Sequence, residues 1–270
     1  MDDEIEERYE NLKRLYKELD NEESDICKTC PFGGADINKP KLHEPPEVIK
    51  EYKIEIMFVG INPSNKRNID YIKTQFRPWS KLPKDKVEEI EKKYNVTEKK
   101  LRIGSFPDLD GYYAYNDAPL FYALRLLNIK RECFFITNLV KCAKTKDNKS
   151  NIDLDVVERC KSFLEREIEL VKPKLVIFMT GDKRYDKVVD ELSNKYKDVH
   201  IGRIYHPGYY RYKGILKSHP ELRKDYASEI YDIYKAAIAK GIEFSTVLDD
   251  PETTTENEER GCLKNPTDSV

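Results

Sequence analysis

The stretch FFITNLVKCAK, residues Phe134 to Lys144, decides how this chain is read. An apolar run carries into Thr137 and Asn138, and a lone thiol, Cys142, stands four residues beyond the amide. A short apolar run bounded by polar residues reads as a buried strand. Ending it on Asn138 puts a side-chain amide at the strand's carboxyl end. Counting from Cys133, CFFITN is the second of four such runs. The others are YKIEIMFVG (Tyr52 to Gly60), KLVIFMTG (Lys174 to Gly181) and VHIGRIYHPG (Val199 to Gly208).

Segments at helical spacing separate them. These are Leu120 to Ile129, Asp153 to Val171 with Asp153 as a candidate cap, Asp182 to Lys195, and Pro220 to Lys240. A further helix, residues 2–20, carries Ile5, Tyr9, Leu12, Leu15, Tyr16 and Leu19 along one stripe. Strands alternating with helices pair in parallel, because each crossover returns the chain to the same sheet end. The expectation is an α/β fold, a three-layer sandwich around a central four-stranded parallel sheet. Residues 1–242 read as one domain. Within it, residues 64–106 form a highly charged insertion with a helix near Lys84 to Tyr94 and the only tryptophan, Trp79. Residues 243–270 hold few apolar side chains and no periodicity, which predicts a disordered tail.

The 270 residues include 48 basic and 50 acidic ones, for a net charge of −2. A near-neutral chain is not a generic nucleic-acid binder, so any such role rests on local basic patches. No stretch approaches a membrane span, and the acidic start MDDEIEERYE lacks the pattern of a secretion signal. The expected setting is cytoplasmic, where cysteines stay reduced.

In an open parallel sheet, ligands bind beyond the carboxyl ends of the strands. Three of those ends carry informative residues: Gly60-Ile61-Asn62-Pro63-Ser64, Thr137-Asn138, and His206-Pro207-Gly208. Two amides and an imidazole suit reading the edge of a planar heterocycle and stabilising an oxyanion on it. No Ser-His-Asp order, P-loop lysine or paired carboxylates occupy these places. Each residue alone also reads as a turn or cap.

Of the six cysteines, Cys27 and Cys30 form one pair, and Cys142 and Cys160 flank the loop after the second strand. Four thiolates are the ligand set of a [4Fe–4S] cluster or of structural zinc, and chemistry alone does not separate the two. Cys133, inside the second strand, reads as a small buried hydrophobe, and Cys262 as free.

FVGINPS, GYYAYNDAP, FFITNLVKC, ERCKSFLEREIELVKPKLVIFMTG and IYHPGYY follow one another in the order of the uracil-DNA glycosylase superfamily, which the chain resembles from about Cys27 to Lys240. The cysteine pattern resembles that of its iron–sulfur branch, families 4 and 5. The first motif, Asn62-Pro63-Ser64, is closer to the mismatch-specific glycosylases. Gly208 stands where Ser is common, and Tyr115 where Phe is usual. The resemblance implies that Asn138 reads uracil, with Gly60, Ile61 and Tyr115 completing the base site. It makes His206 the donor to the leaving base and Asn62 the residue that holds the attacking water. It makes Cys27, Cys30, Cys142 and Cys160 ligands of a structural [4Fe–4S] cluster, with zinc the lesser alternative. Ser64, Lys144, Lys146, Lys149, Arg211 and Lys213 become candidates for the DNA backbone, with Lys217 and the neighbouring Tyr209, Tyr210 and Tyr212. The expected partner is DNA carrying a damaged base, bound by a monomer. A superfamily member that has lost excision, or that acts on another base or on RNA, is the competing reading.

Overall fold

The computed structural model describes residues 3–20, 54–61, 119–129, 133–141, 152, 154–206 and 221–253. The predicted helix at 84–94, the 64–106 insertion, the cap Asp153 and residues 254–270 lie outside them. Two compact units divide the chain. The first comprises Met1–Asn65, Arg131–Tyr205 and Ala236–Ser245; the second comprises Lys66–Lys130, His206–Lys235 and Thr246–Val270.

The first unit contains α1 (Asp3–Asp20), β1 (Ile56–Gly60), β2 (Phe134–Asn138), α3 (Leu154–Val171), β3 (Leu175–Met179), a 3₁₀ turn (Lys183–Tyr185), α4 (Asp186–Lys195) and β4 (His200–Ile204). In the second unit α2 covers Pro119–Leu126, and α5 (Glu221–Ala239) begins there and ends in the first. The four strands form one parallel sheet in the order β2-β1-β3-β4, flanked by helices, as the alternation of elements predicted.

The strands are shorter than the apolar runs because the sheet stops where pairing stops. β1 and β3 are buried at every position, the mark of a parallel sheet covered on both faces. On one face Met57, Val59, Phe135, Val176 and Phe178 join a core with Leu12, Leu15 and Tyr16 of α1, Val156, Val157, Phe163, Leu164 and Ile168 of α3, and Val188 and Leu192 of α4. On the other face Ile56, Phe58, Phe134, Leu175 and Ile177 are equally buried. There the Phe58 and Phe134 rings meet edge to face, their centroids 6.2 Å apart. Cys133 departs from the sequence expectation. It stands one residue before β2, half-buried, and its carbonyl accepts the Glu55 N–H at 3.0 Å.

The helix ends follow local chemistry. Lys172, with φ of 51°, closes α3, and Pro173 prevents its continuation. Asn128, with φ of 53°, closes α2, and the next amide, Ile129 N–H, reaches back to the Leu124 carbonyl at 2.8 Å. Ion pairs lace the outer helix faces. The Arg166 guanidinium donates to both carboxylate oxygens of Glu18, at 2.7 and 3.1 Å, and ties α3 to α1.

Residues 243–253, which composition placed in the tail, carry specific contacts. In the first unit, Ser245 N–H donates to the Glu55 carboxylate at 2.9 and 3.1 Å, and Lys174 Nζ pairs with the same carboxylate at 2.7 Å. Glu55 itself is fully buried. In the second unit, Tyr234 donates to the Thr246 carbonyl at 3.0 Å, Asp249 N–H donates to the Leu127 carbonyl at 3.2 Å, and Leu248 is buried.

Candidate functional site

β1 and β2 are direct neighbours in register, so Gly60 and Asn138 face each other at the carboxyl end of the pair. The ladder continues past both strands. Leu139 N–H donates to the Gly60 carbonyl and Val140 N–H to the Ile61 carbonyl, each at 2.8 Å. The two loops therefore leave the sheet together.

The Asn138 side chain lies across Gly60. A Cβ placed on Gly60 would stand 2.6 Å from Asn138 Oδ1 and 3.6 Å from its Cγ. Only glycine leaves room for the amide in this pose. Among the described residues the Asn138 carboxamide makes no hydrogen bond, although its residue is half-buried. Such a group, held beside a strand end with an acceptor and a donor both uncommitted, can read a complementary acceptor–donor edge.

Beneath it sits a buried polar network. Lys141 Nζ donates to Glu167 Oε2 at 2.6 Å, Thr137 Oγ1 at 2.9 Å and the Asn138 carbonyl at 2.7 Å. Thr137 Oγ1 lies 3.0 and 3.1 Å from the two Glu167 oxygens, and Tyr16 Oη donates to Glu167 Oε1 at 2.8 Å. Lys141 is 3% exposed and Glu167 fully enclosed. Burial, reinforced by the charge of Glu167, raises the Tyr16 pKa well above 10, so its hydroxyl stays a donor. Sequence reading missed this network. Its one signal is a glutamate on the apolar stripe of α3, in step with Phe163, Leu164, Ile168 and Val171.

At the carboxyl end of β3, the Asp182 carboxylate caps the 3₁₀ turn through Arg184 N–H at 3.0 Å, while Arg203 donates to the Asp182 carbonyl at 2.9 Å and pairs with Asp186. The Tyr205 ring covers Gly181, where a Cβ would meet it at 2.4 Å. These contacts brace the chain as it leaves β3 and β4.

Of the residues expected at the site, the structure brings together Gly60, Ile61 and Asn138. His206 stands two residues beyond β4 and belongs to the second unit. It keeps exposed surface, yet enough protein surrounds it to disfavour the imidazolium and lower its pKa. Asn62, Ser64, Tyr115, Lys144, Lys146, Lys149, Arg211 and Lys213 lie outside the described residues, as do Cys27, Cys30 and Cys142. Cys160, in the second turn of α3, is 5% exposed and packed in the core. Among the described residues no three His, Cys, Asp or Glu side chains gather as a metal site. No described helix is long and apolar enough to cross a membrane.

A profile of the uracil DNA glycosylase superfamily matches residues 46–230, which hold β1 through β4 and the Gly60–Asn138 pair. The chain belongs to the uracil DNA glycosylase superfamily. Among solved structures it is similar to wild-type SMUG2 of Pedobacter heparinus. The identity is 10% and the TM-score 0.38, over 70% of this chain and 82% of that one. No curated protein sequence matches it.

Proposed function

We propose that this protein hydrolyses the N-glycosidic bond of uracil, or of another deaminated base, in DNA. Superfamily membership supports a glycosylase. The observation that carries the substrate reading is the Asn138 carboxamide, held over Gly60 with both polar atoms uncommitted among the described residues.

A base stacked in a duplex must first be flipped out, at a cost of a few kcal/mol. The Asn138 Oδ1 then accepts the uracil N3–H while Nδ2 donates to O4. Cytosine presents the opposite pattern, an acceptor at N3 and a donor at N4, and would leave these groups unpaired in a desolvated site. As the glycosidic bond breaks, negative charge collects on the base, largely at O2. His206 is assigned the hydrogen bond to that oxygen. A lowered pKa suits the role, because a neutral imidazole still offers one N–H and delivers no premature positive charge. Asn62 holds the water that attacks the sugar. It is not a base, and a dissociative transition state asks for little basicity. Tyr115 stacks on the flipped base, and Ser64, Lys144, Lys146, Lys149, Arg211 and Lys213 meet phosphates.

Cys27, Cys30, Cys142 and Cys160 are proposed to hold a structural [4Fe–4S] cluster. The thiolate set and the burial of Cys160 in α3 support a closed site. Its role is to pin loops, and the hydrolysis needs no electron transfer. Anaerobically purified protein should be brown, and a colourless, zinc-loaded protein would remove the cluster. The test of function is incubation with duplexes carrying uracil, hypoxanthine, xanthine or mismatched T, scored for abasic sites. Strand breaks at uracil after alkali are expected. DNA binding with no abasic site on any substrate would overturn the reading.

A further inference from the structure

We infer that the buried Lys141–Glu167 pair, with Thr137 and Tyr16, is the device that positions Asn138, and that Lys141 and Glu167 are positioning residues for base selection. For what Asn138 is positioned to do, this rests on the glycosylase reading above.

Asn138 and Leu139 share the peptide group at which β2 ends. Its N–H donates to the Gly60 carbonyl at 2.8 Å, and its C=O accepts from Lys141 Nζ at 2.7 Å. The peptide plane is therefore held at both ends. One end is fixed by the central strand and the other by a side chain three residues further on. With the preceding residues already held in the β1–β2 ladder, fixing this plane sets the Cα–Cβ direction of Asn138, and the bare Cα of Gly60 leaves room for the resulting carboxamide pose.

The network is closed. An ammonium has three protons, and Lys141 spends them on Glu167, Thr137 and the Asn138 carbonyl. The Thr137 hydroxyl accepts from Lys141 and donates to Glu167, and the Tyr16 hydroxyl donates to the other carboxylate oxygen. No donor in the set is left over. Stability is a poor reason to keep such a pair, because apolar side chains of equal volume at such places often serve as well or better. What an apolar pair cannot do is hold a backbone carbonyl in place. The network joins Lys141, three residues past the end of β2, to Tyr16 of α1, Thr137 of β2 and Glu167 of α3, so the orientation of Asn138 is tied to the packed core.

The test replaces both charges at once, Lys141→Met with Glu167→Gln, which leaves no lone buried ion. Tyr16→Phe is the milder companion, removing one hydrogen bond far in sequence from Cys142. Two readouts are taken. The first needs no catalysis: the side-chain NH₂ signals of Asn138 in a protein labelled with ¹⁵N-asparagine, assigned by their loss in Asn138→Asp. The second is kcat and KM on a uracil duplex. In the folded double variant the Asn138 signals are expected to shift and to average. The kcat should fall roughly tenfold while KM for DNA holds. Tyr16→Phe should move both readouts the same way by less. If the double variant does not fold, Tyr16→Phe decides alone. Wild-type Asn138 signals in a folded variant, whatever the activity, would overturn the inference. If wild-type protein cleaves no base, the glycosylase reading falls, and the NH₂ signals still judge the positioning.

Discussion

Gly60→Ala adds one methyl group at the point where the structure has least room. The new Cβ would stand 2.6 Å from Asn138 Oδ1, and ordinary contact begins near 3.4 Å, so the carboxamide must withdraw by about 0.8 Å. The next neighbours, Asn138 Cγ at 3.6 Å and the Thr137 carbonyl at 3.7 Å, are already at normal separations. The collision is thus with one movable side chain, and the strand itself can stay. Alanine also restricts the unfolded chain more than glycine does, which offsets part of the cost, so the melting temperature should move by no more than about 2–4 °C. Catalysis should suffer far more. A displacement near 1 Å at a positioning group costs about 10²-fold, or about 2.7 kcal/mol of transition-state stabilisation. The assay is single-turnover release of uracil from a duplex, beside binding of an undamaged duplex by fluorescence anisotropy. Rate should fall with anisotropy unchanged. Because Gly60 is argued to act through Asn138, the substitution should cost almost nothing further in an Asn138→Ala background. A folded Gly60→Ala protein with the wild-type rate, or one whose loss adds fully to that of Asn138→Ala, would refute the reasoning.

Asn62→Ala should slow turnover while DNA binding survives, and an unchanged rate would remove Asn62 from the reaction. His206, followed by its ring-proton signals in an NMR titration, should show a midpoint below the usual 6.5, because surrounding protein disfavours its charged form. Since folding lowers this pKa, the contribution to stability is complete above about pH 6.5 and is lost as the pH falls through the folded value; a midpoint at or above 6.5 contradicts it. Glu55→Ala strips the buried partner from both Lys174 and Ser245 N–H, and should cost about 3 kcal/mol in denaturant unfolding and speed hydrogen exchange at Ser245; a loss under about 1 kcal/mol would show the contact to be incidental.

The sheet was legible because strands of a doubly covered parallel sheet read as unbroken apolar runs, and IMFVG and LVIFM do so. The place of Asn138 at a strand end was legible because its amide closes the second run, and β2 ends on it. The support beneath it was not, because Tyr16 and Glu167 are 151 positions apart and meet only once α1 packs on α3. Tyr16 reads as an ordinary member of its helix, and Glu167 stands out only as a charge on the apolar stripe of α3. The contacts of residues 243–253 leave as little trace in the sequence. Their attachment depends on Leu248 and on one backbone N–H meeting the buried Glu55, and neither leaves a periodic trace.

The register of β1 against β2 has an evolutionary consequence. Gly60 and Asn138 are adjacent through the sheet, so the crossover between their strands, residues 61–133, sets neither their spacing nor their orientation. That crossover can lengthen, shorten or be rewritten without disturbing the pair. A lineage is therefore free to accumulate a long charged insertion there, experimenting with new surfaces while the Gly60–Asn138 pair stays under separate inheritance.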